Sequence, residues 1–463
     1  MTKRTISMFL AAYFGLRVFS YFFSPGTPLY FANPINWIVS TGILLLTAYF
    51  LLLKDQRGWL IIAGELILGG AGNFLEIKGI SLRTCLLLVS ITIFIIQKIK
   101  DKEYIIIAKQ NKVIIYLLSF IFLAVGISAI HGYYLGHDSK LILGDTIPYL
   151  FFLYYFPLKQ LLQSEKFRQT SFSFLISAII GNFIFTYFTL VGFSSEIFVL
   201  QDSYYHWFRD VASGKITDYG TGFFRILTNE QLLVVPLFLW ISAKRISERG
   251  KYILKVCSAA LLAILTINIT RIYLVALAVG ILSLFSLKNW KRWLAYSAGA
   301  LIFFVMAFTL THLAATKGKS LGWEYLGLRL QSIAMPQTEE SSLSRLLLLP
   351  KILEKIKLHP LLGNGLGDAV TVYSPVFKAN ITTPHFDWGY LEIAAEIGLV
   401  GLLAWLSLIA YCIWLMKKNK AVLAAIVGLL VINITSPALF HVLGVILITY
   451  ILASSLAQKS QLN

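Results

Sequence analysis

The sequence predicts an all-α, polytopic transmembrane helix bundle of about 12–14 spans with one large loop on the outer side. Three observations carry that expectation. The 463 residues are 57% hydrophobic and only 13% charged, with a mean hydropathy of +0.75. So few charges cannot solvate so much apolar chain in water. The apolar runs are continuous over about 20 residues, the length that crosses a bilayer, rather than alternating as a β-barrel requires. Lys and Arg are also distributed unevenly. Short segments at 1–4, 54–58, 98–112, 159–168, 244–255, 288–292, 417–420 and 457–463 hold 24 of the 40. The short loops facing the other way hold four, Lys78, Lys140, Arg209 and Lys215. By the positive-inside rule both termini are cytoplasmic. The net charge of +18 is then a record of topology, and it excludes a nucleic-acid reading.

Fourteen candidate spans fall at 5–23, 36–53, 59–75, 80–97, 113–131, 145–158, 171–193, 223–243, 252–269, 271–288, 293–313, 388–415, 421–435 and 438–456. The first follows directly on MTKR, with no small-residue cleavage site behind it, so no cleaved signal is expected. The span at 145–158 is short and contains Pro148 and Pro157, and the last two divide only around Pro437. Twelve is therefore the alternative, and termini on one side require an even number. Nothing separates a soluble domain, so 1–463 is a single membrane domain with two outer loops, 194–222 and 314–387. Cys85, Cys257 and Cys412 sit in apolar runs without ligand spacing and read as packing residues.

The chain is organised around the stretch His359–Trp405, where polar and glycine-rich residues run into a long apolar helix. Gly363, Gly365 and Gly367 form GNGLG, which lacks the spacing and preceding strand of a dinucleotide site. It suits tight turns or close approach to a ligand. Asp387 is placed to cap the following helix, and Glu392 and Glu396 share one helix face. Upstream, SSLSRLLLLPKILEKIKLHP reads as an amphipathic helix capped by Ser341 or Ser342 and kinked at Pro350. Its apolar face would be Leu346, Leu349, Leu353 and Ile356. It could lie on the membrane surface or pack over the bundle.

Three side chains could carry chemistry. Arg271, in LTINITRIYLVALAVG, falls at the outer boundary between two apolar runs. Arg225, in TGFFRILTNEQLLVVPLF, is expected at the same depth near the outer end of another span. Each could snorkel to lipid phosphates, or the two could grip one diphosphate, for which the planar, forked guanidinium is suited. His385 stands just outside a helix start. Histidine changes charge near neutrality, so it could serve as a general base or simply bond a loop carbonyl. His131, His137, His206, His312 and His441 are scattered and read as structural or solvated. No metal-ligand spacing is present, and no cofactor is expected.

LHPLLGNGLG followed by PHFDWGYLEIAAEIGLVGLL resembles the loop-then-helix pattern of the O-antigen ligase and O-antigen polymerase superfamily. ITRIYLVAL and SLSRLLLLPKI are similar to its arginine segments, and FFRILTNEQ more weakly so. The resembling part runs from about Phe223 to Trp405. Thr270 and Ile272 stand where the family has a small residue and a glycine, and Phe386 follows His385 in place of asparagine. The resemblance implies a bacterial inner-membrane glycosyltransferase working at the periplasmic face without metal or nucleotide sugar. An undecaprenyl-diphosphate-linked glycan is the donor, and a glycan or the lipid A core is the acceptor. It implies His385 as the catalytic base and Arg225 and Arg271 as diphosphate ligands. Arg345, Gly363, Gly365, Gly367, Tyr390 and Glu392 are implied as supports. Ligase, polymerase and protein O-oligosaccharyltransferase share this pattern. A lipid-linked oligosaccharide flippase is a different class, which would carry cations along its spans and lack a large folded loop.

The charge asymmetry predicts that a cysteine replacing Ser320 is labelled from outside and one replacing Asn463 from inside. Labelling of position 320 from the cytoplasm alone would overturn the topology and every site placement that depends on it.

Overall fold

The computed structural model describes residues 3–27, 34–103, 111–197, 202–247, 252–335, 340–374 and 378–459. The extreme termini and parts of the basic segments 98–112 and 244–255 lie outside the described residues, as do the side chains of Ser341 and Ser342. The chain is a helix bundle, and its described residues are 76% helical with 5% in strands. The helices are α1 (Lys3–Phe23), α2 (Ile35–Leu52), α3 (Gln56–Leu68), α4 (Leu82–Lys100), α5 (Lys112–Tyr134), α6 (Ser139–Leu150) and α7 (Tyr155–Leu161). They continue with α8 (Glu165–Ser194), α9 (Asp202–His206), α10 (Val234–Ser247), α11 (Tyr252–Asn268), α12 (Arg271–Ser283) and α13 (Trp290–Ala315). The last six are α14 (Trp323–Ala334), α15 (Glu340–Leu358), α16 (Gly389–Glu396), α17 (Gly398–Met416), α18 (Lys420–Ile432) and α19 (Val442–Lys459).

Among the described residues eight helical stretches are long and apolar enough to cross a bilayer, and four further apolar helices are shorter. Their hydrocarbon faces meet in one continuous core. At its centre α18 packs against α10 and α12, while α8 packs against α1 and α11.

Several spans differ from their sequence reading. Residues 59–75 form only the 13-residue α3, about 20 Å long, before Gly69, Gly70 and Gly72 turn the chain into a short hairpin, β1–β2 (Glu76–Ile77, Ile80–Ser81). The span at 145–158 is longer than expected. It starts at Ser139 and continues as one 23-residue apolar stretch through a tight 3-10 turn at Phe151–Tyr154. The span at 223–243 does not begin as a helix. Gly220 and Gly222, both at positive φ, turn the chain between β3 (Lys215–Asp218) and β4 (Phe224–Leu227), and helix starts only at Val234. Arg225 therefore lies on a strand, paired with Thr217.

The span at 388–415 is two helices. Gly398, at φ +76°, breaks it between α16 and α17. The loop 360–366 supplies the hydrogen bonds that the break removes. Leu399 N–H donates to the Pro360 carbonyl at 2.9 Å and Val400 N–H to the Leu361 carbonyl at 3.2 Å. In return the Ala395 carbonyl accepts from Asn364 N–H at 2.7 Å, and the Glu396 carbonyl from Gly365 N–H at 3.0 Å. Backbone packs on backbone here. A Cβ at Gly363 would collide with the Glu396 carbonyl, and one at Gly365 with the Gly132 nitrogen of α5.

The loop 314–387 is folded. It holds α14, α15 and the hairpin β5–β6 (Val370–Ser374, Ala379–Thr383). Helix α15 packs rather than lying free. Leu348 and Ile352 are buried with Val370, Phe386 and Ala395 in a small second core. The expected face was offset, since Leu353 is exposed and Ile352 buried. The helix runs on through Pro350.

Gly365→Ala should lower thermal stability by roughly 2–4 kcal/mol, because strain at φ +90° adds to a backbone collision. Gly15→Ala, in open space on α1, should change it by less than about 1 kcal/mol. Thermal unfolding of the two variants in detergent makes the comparison, and equal shifts would show that the glycine loop is not a packing joint.

Candidate active site

The site forms where the loops 194–222 and 314–387 meet the ends of α11, α12 and α16. Arg225 projects from β4 to the turn between α11 and α12. Its Nε donates to the Asn268 carbonyl at 2.6 Å, and one terminal nitrogen donates to Thr270 Oγ1 at 2.7 Å. Arg271 is the first residue of α12, one position beyond Thr270, so the two arginines are brought to the same turn. Arg271 in turn donates to Ser332 Oγ on α14 at 3.1 Å. Arg225 thus reaches the turn that begins α12, and β4 rather than a helix delivers it.

Two further cations join them. Arg329, on α14, is buried and donates to the hydroxyls of Tyr325, at 2.9 Å, and Tyr219. Lys215 projects from β3. Burial pushes its ammonium below the usual lysine range, with Arg225 and Arg345 acting in the same direction, Asp387 opposing and Arg329 adding to the depression. Arg345 completes the group from α15, with its Nε 3.6 Å from Asp387 Oδ2. Lys215 counted only as a loop charge in the topology and Arg329 carried no motif. The hairpin register and the fold of α14 could not be read from spacing, so neither was foreseen. The signal that was available is the single helical turn from Arg329 to Ser332 on an otherwise apolar amphipathic stretch.

Asp387 does not cap the helix that follows. It adopts φ +59° and turns towards Arg345, and Trp388 occupies the cap position without a side-chain hydrogen bond. The Trp388 indole N–H instead donates to the Arg345 carbonyl at 3.0 Å, tying α15 to the start of α16. Glu392 closes the same turn from inside, accepting from Phe386 N–H at 3.2 Å. Its carboxyl, on a helix that ends before the spanning α17 begins, is pushed up to about 8. Burial is the main cause, the Phe386 N–H opposes it, and Asp145 and Asp387 add to it. Glu392 and Glu396 are both buried on one face of α16, as expected. Tyr390 donates to the Leu430 carbonyl at 2.8 Å and fixes α16 against α18.

His385 is solvent-exposed on the turn between β6 and α16. Its backbone N–H donates to Thr383 Oγ1 at 3.2 Å, and its carbonyl accepts from the same hydroxyl at 3.0 Å. That two-way contact fixes the backbone and leaves the ring to the open side. Electrostatically the imidazole faces Asp145 of α6 and His441, which precedes α19. Burial pushes the His441 imidazole down to about 4, with Arg83 and His385 acting the same way. His441 thus interacts electrostatically with His385, which its position in the sequence did not suggest. Asp145 also accepts from Gly367 N–H at 2.9 Å, which anchors the glycine loop to the floor of the site. Gly363, Gly365 and Gly367 are buried at positive φ and serve as the joint described above. His137 and His131 belong to that joint. His137 Nδ1 lies 2.9 Å from the Leu366 carbonyl, and His131 packs edge-on against His359.

The fold and site together define a multi-pass helical membrane protein with a cluster of cations that reaches Asp387, two residues from His385. Residues 256–406 match the family model described as O-antigen ligase. No curated protein matches the chain. The matched region contains Arg271, Arg329, Arg345 and His385. Arg225 and Lys215 come from outside it and pack onto it.

Proposed function

We propose that the protein is a glycosyltransferase that transfers or polymerises an undecaprenyl-diphosphate-linked glycan at the periplasmic face of the bacterial inner membrane, in O-antigen and lipopolysaccharide assembly. The convergence of Arg225, Arg329, Arg345 and Lys215, with Arg271 on the turn that Arg225 reaches, carries the reading, and Arg271, Arg329, Arg345 and His385 all fall within the region that matches the O-antigen ligase family. A diphosphate ester supplies the anionic oxygens that so many adjacent cations require, and forked guanidinium donors fit them in pairs.

In this reading Arg225 and Arg271 hold the diphosphate of the donor, with Lys215 and Arg329 behind them. The acceptor hydroxyl lies against His385. The imidazole takes its proton as the hydroxyl oxygen bonds to the anomeric carbon. The bond from that carbon to the phosphate oxygen breaks, and undecaprenyl diphosphate departs with its new charge facing the guanidinium groups. The acceptor is a lipid A core for a ligase, another lipid-linked repeat for a polymerase, and a protein hydroxyl for an O-oligosaccharyltransferase. The glycan profile of a deletion strain separates the first two: loss of all attached polymer marks a ligase, and a single attached repeat marks a polymerase.

Arg271→Lys should fold normally and lose roughly 10–100-fold in donor affinity, because an ammonium cannot reproduce the forked contact. A transfer assay with lipid-linked donor reads this directly, and unchanged kinetics would reduce Arg271 to an interfacial anchor. His385→Ala should lower turnover by about 10²–10⁴-fold while leaving donor binding largely intact. A variant that binds donor poorly yet turns over normally at saturation would show that His385 positions substrate and takes no proton.

A further inference from the structure

Behind Arg225 a row of neutral polar side chains runs back into the apolar core. The Thr270 hydroxyl, which accepts from Arg225, donates to Asn268 Oδ1. Asn268 Nδ2 donates to Gln231 Oε1 at 2.6 Å, and Gln231 Nε2 donates to Thr186 Oγ1 at 3.2 Å. The Thr186 hydroxyl donates to Asn182 Oδ1 at 3.3 Å, and Asn182 Nδ2 donates to Thr228 Oγ1 at 2.8 Å. Asn268, Gln231 and Thr186 are completely buried. Unpaired, each would be costly in such surroundings, because a buried polar group without a partner loses its hydration for nothing. Every link here donates in the same direction, so the three amides of Asn268, Gln231 and Asn182 each have one orientation that satisfies them.

The chain of bonds spans a strained turn. Ile269, between Asn268 and Thr270, is buried at φ +39°, a strained conformation that β-branched residues rarely adopt. Such a turn persists only where its flanks are held. One flank, Asn268, is held by Gln231. The other, Thr270, is held by Asn268 and Arg225 together. This turn also begins α12 and so sets the position of Arg271.

We propose that Gln231 and Asn268 are positioning residues for the paired arginines, holding the strained Asn268–Thr270 turn so that Arg225 and Arg271 present to the donor together. Neither amide is at the site surface, and both act through Arg225. The proposal rests on the diphosphate reading above.

A double-mutant cycle tests it, using binding of undecaprenyl diphosphate to the purified full-length protein in detergent, with thermal unfolding measured alongside. Gln231→Leu should weaken binding about tenfold in the native background and less than about twofold in an Arg225→Ala background. Asn268→Asp keeps the carbonyl for Arg225 and the acceptor for Thr270 but loses the bond to Gln231. It should behave in the same way, and it serves in place of Gln231→Leu if that variant does not fold. Ser242→Ala removes another buried core hydroxyl, bonded to the Phe238 carbonyl, and should leave binding unchanged whatever it does to stability. Equal weakening by Gln231→Leu in both backgrounds, or none in either, overturns the positioning role. If Arg225→Ala alone leaves binding unchanged, the diphosphate reading falls first and this proposal with it.

Discussion

Like charge held at close quarters is the constraint on which the outer half of this protein depends. Lys215, Arg225, Arg329 and Arg345 gather around one space with Arg271 beside them, and the depressed lysine ammonium records the repulsion together with the burial. Solvent and lipid would both favour their dispersal. Among the described contacts, neutral groups hold three of them. Tyrosine hydroxyls hold Arg329, a carbonyl and a threonine hold Arg225, and a serine holds Arg271. A neutral acceptor fixes a guanidinium without cancelling its field. That arrangement leaves attraction for an anionic ligand which a full set of carboxylates would quench.

Carboxylates are present, but set back. Asp387 reaches Arg345 at the rim, while Asp145, Glu392 and Glu396 lie beneath the turn that carries His385. Glu392 uses its carboxylate on the Phe386 backbone. The acids thus organise the loop that presents the histidine, whereas the cations face the opposite side of the same space. Separation of the two charge types by a single turn of backbone, Pro384–Asp387, makes the site polar across its width.

How much of this was legible in the sequence depended on whether the signal was local. Continuous apolar runs announced the bundle. His385, Arg225 and Arg271 stood out because each interrupts or borders an apolar run, where a polar group needs a reason. Lys215 and Arg329 went unseen because their meeting depends on a hairpin register and on the docking of α14. The Asp387 cap failed because an ion pair with Arg345, 42 positions earlier, competes with capping, and spacing along the chain contains no trace of it. The break at Gly398 was hidden for a similar reason. A lone glycine in an apolar helix is ordinary, and only the loop 360–366 supplying its missing bonds makes a break stable.

That interlock ties assembly of the site to the order in which the chain is made. Gly365 sits on Gly132 of α5, and the Ser128 hydroxyl donates to the Glu396 carbonyl at 2.7 Å, so helices from the first third clasp a joint from the last third. Closing contacts so distant along the chain is slow and comes late. A nascent protein therefore threads most of its helices into the membrane before the histidine turn acquires its floor. Lys215 and Arg225 emerge well before His385, and a truncated product would hold part of the cation cluster without the histidine turn.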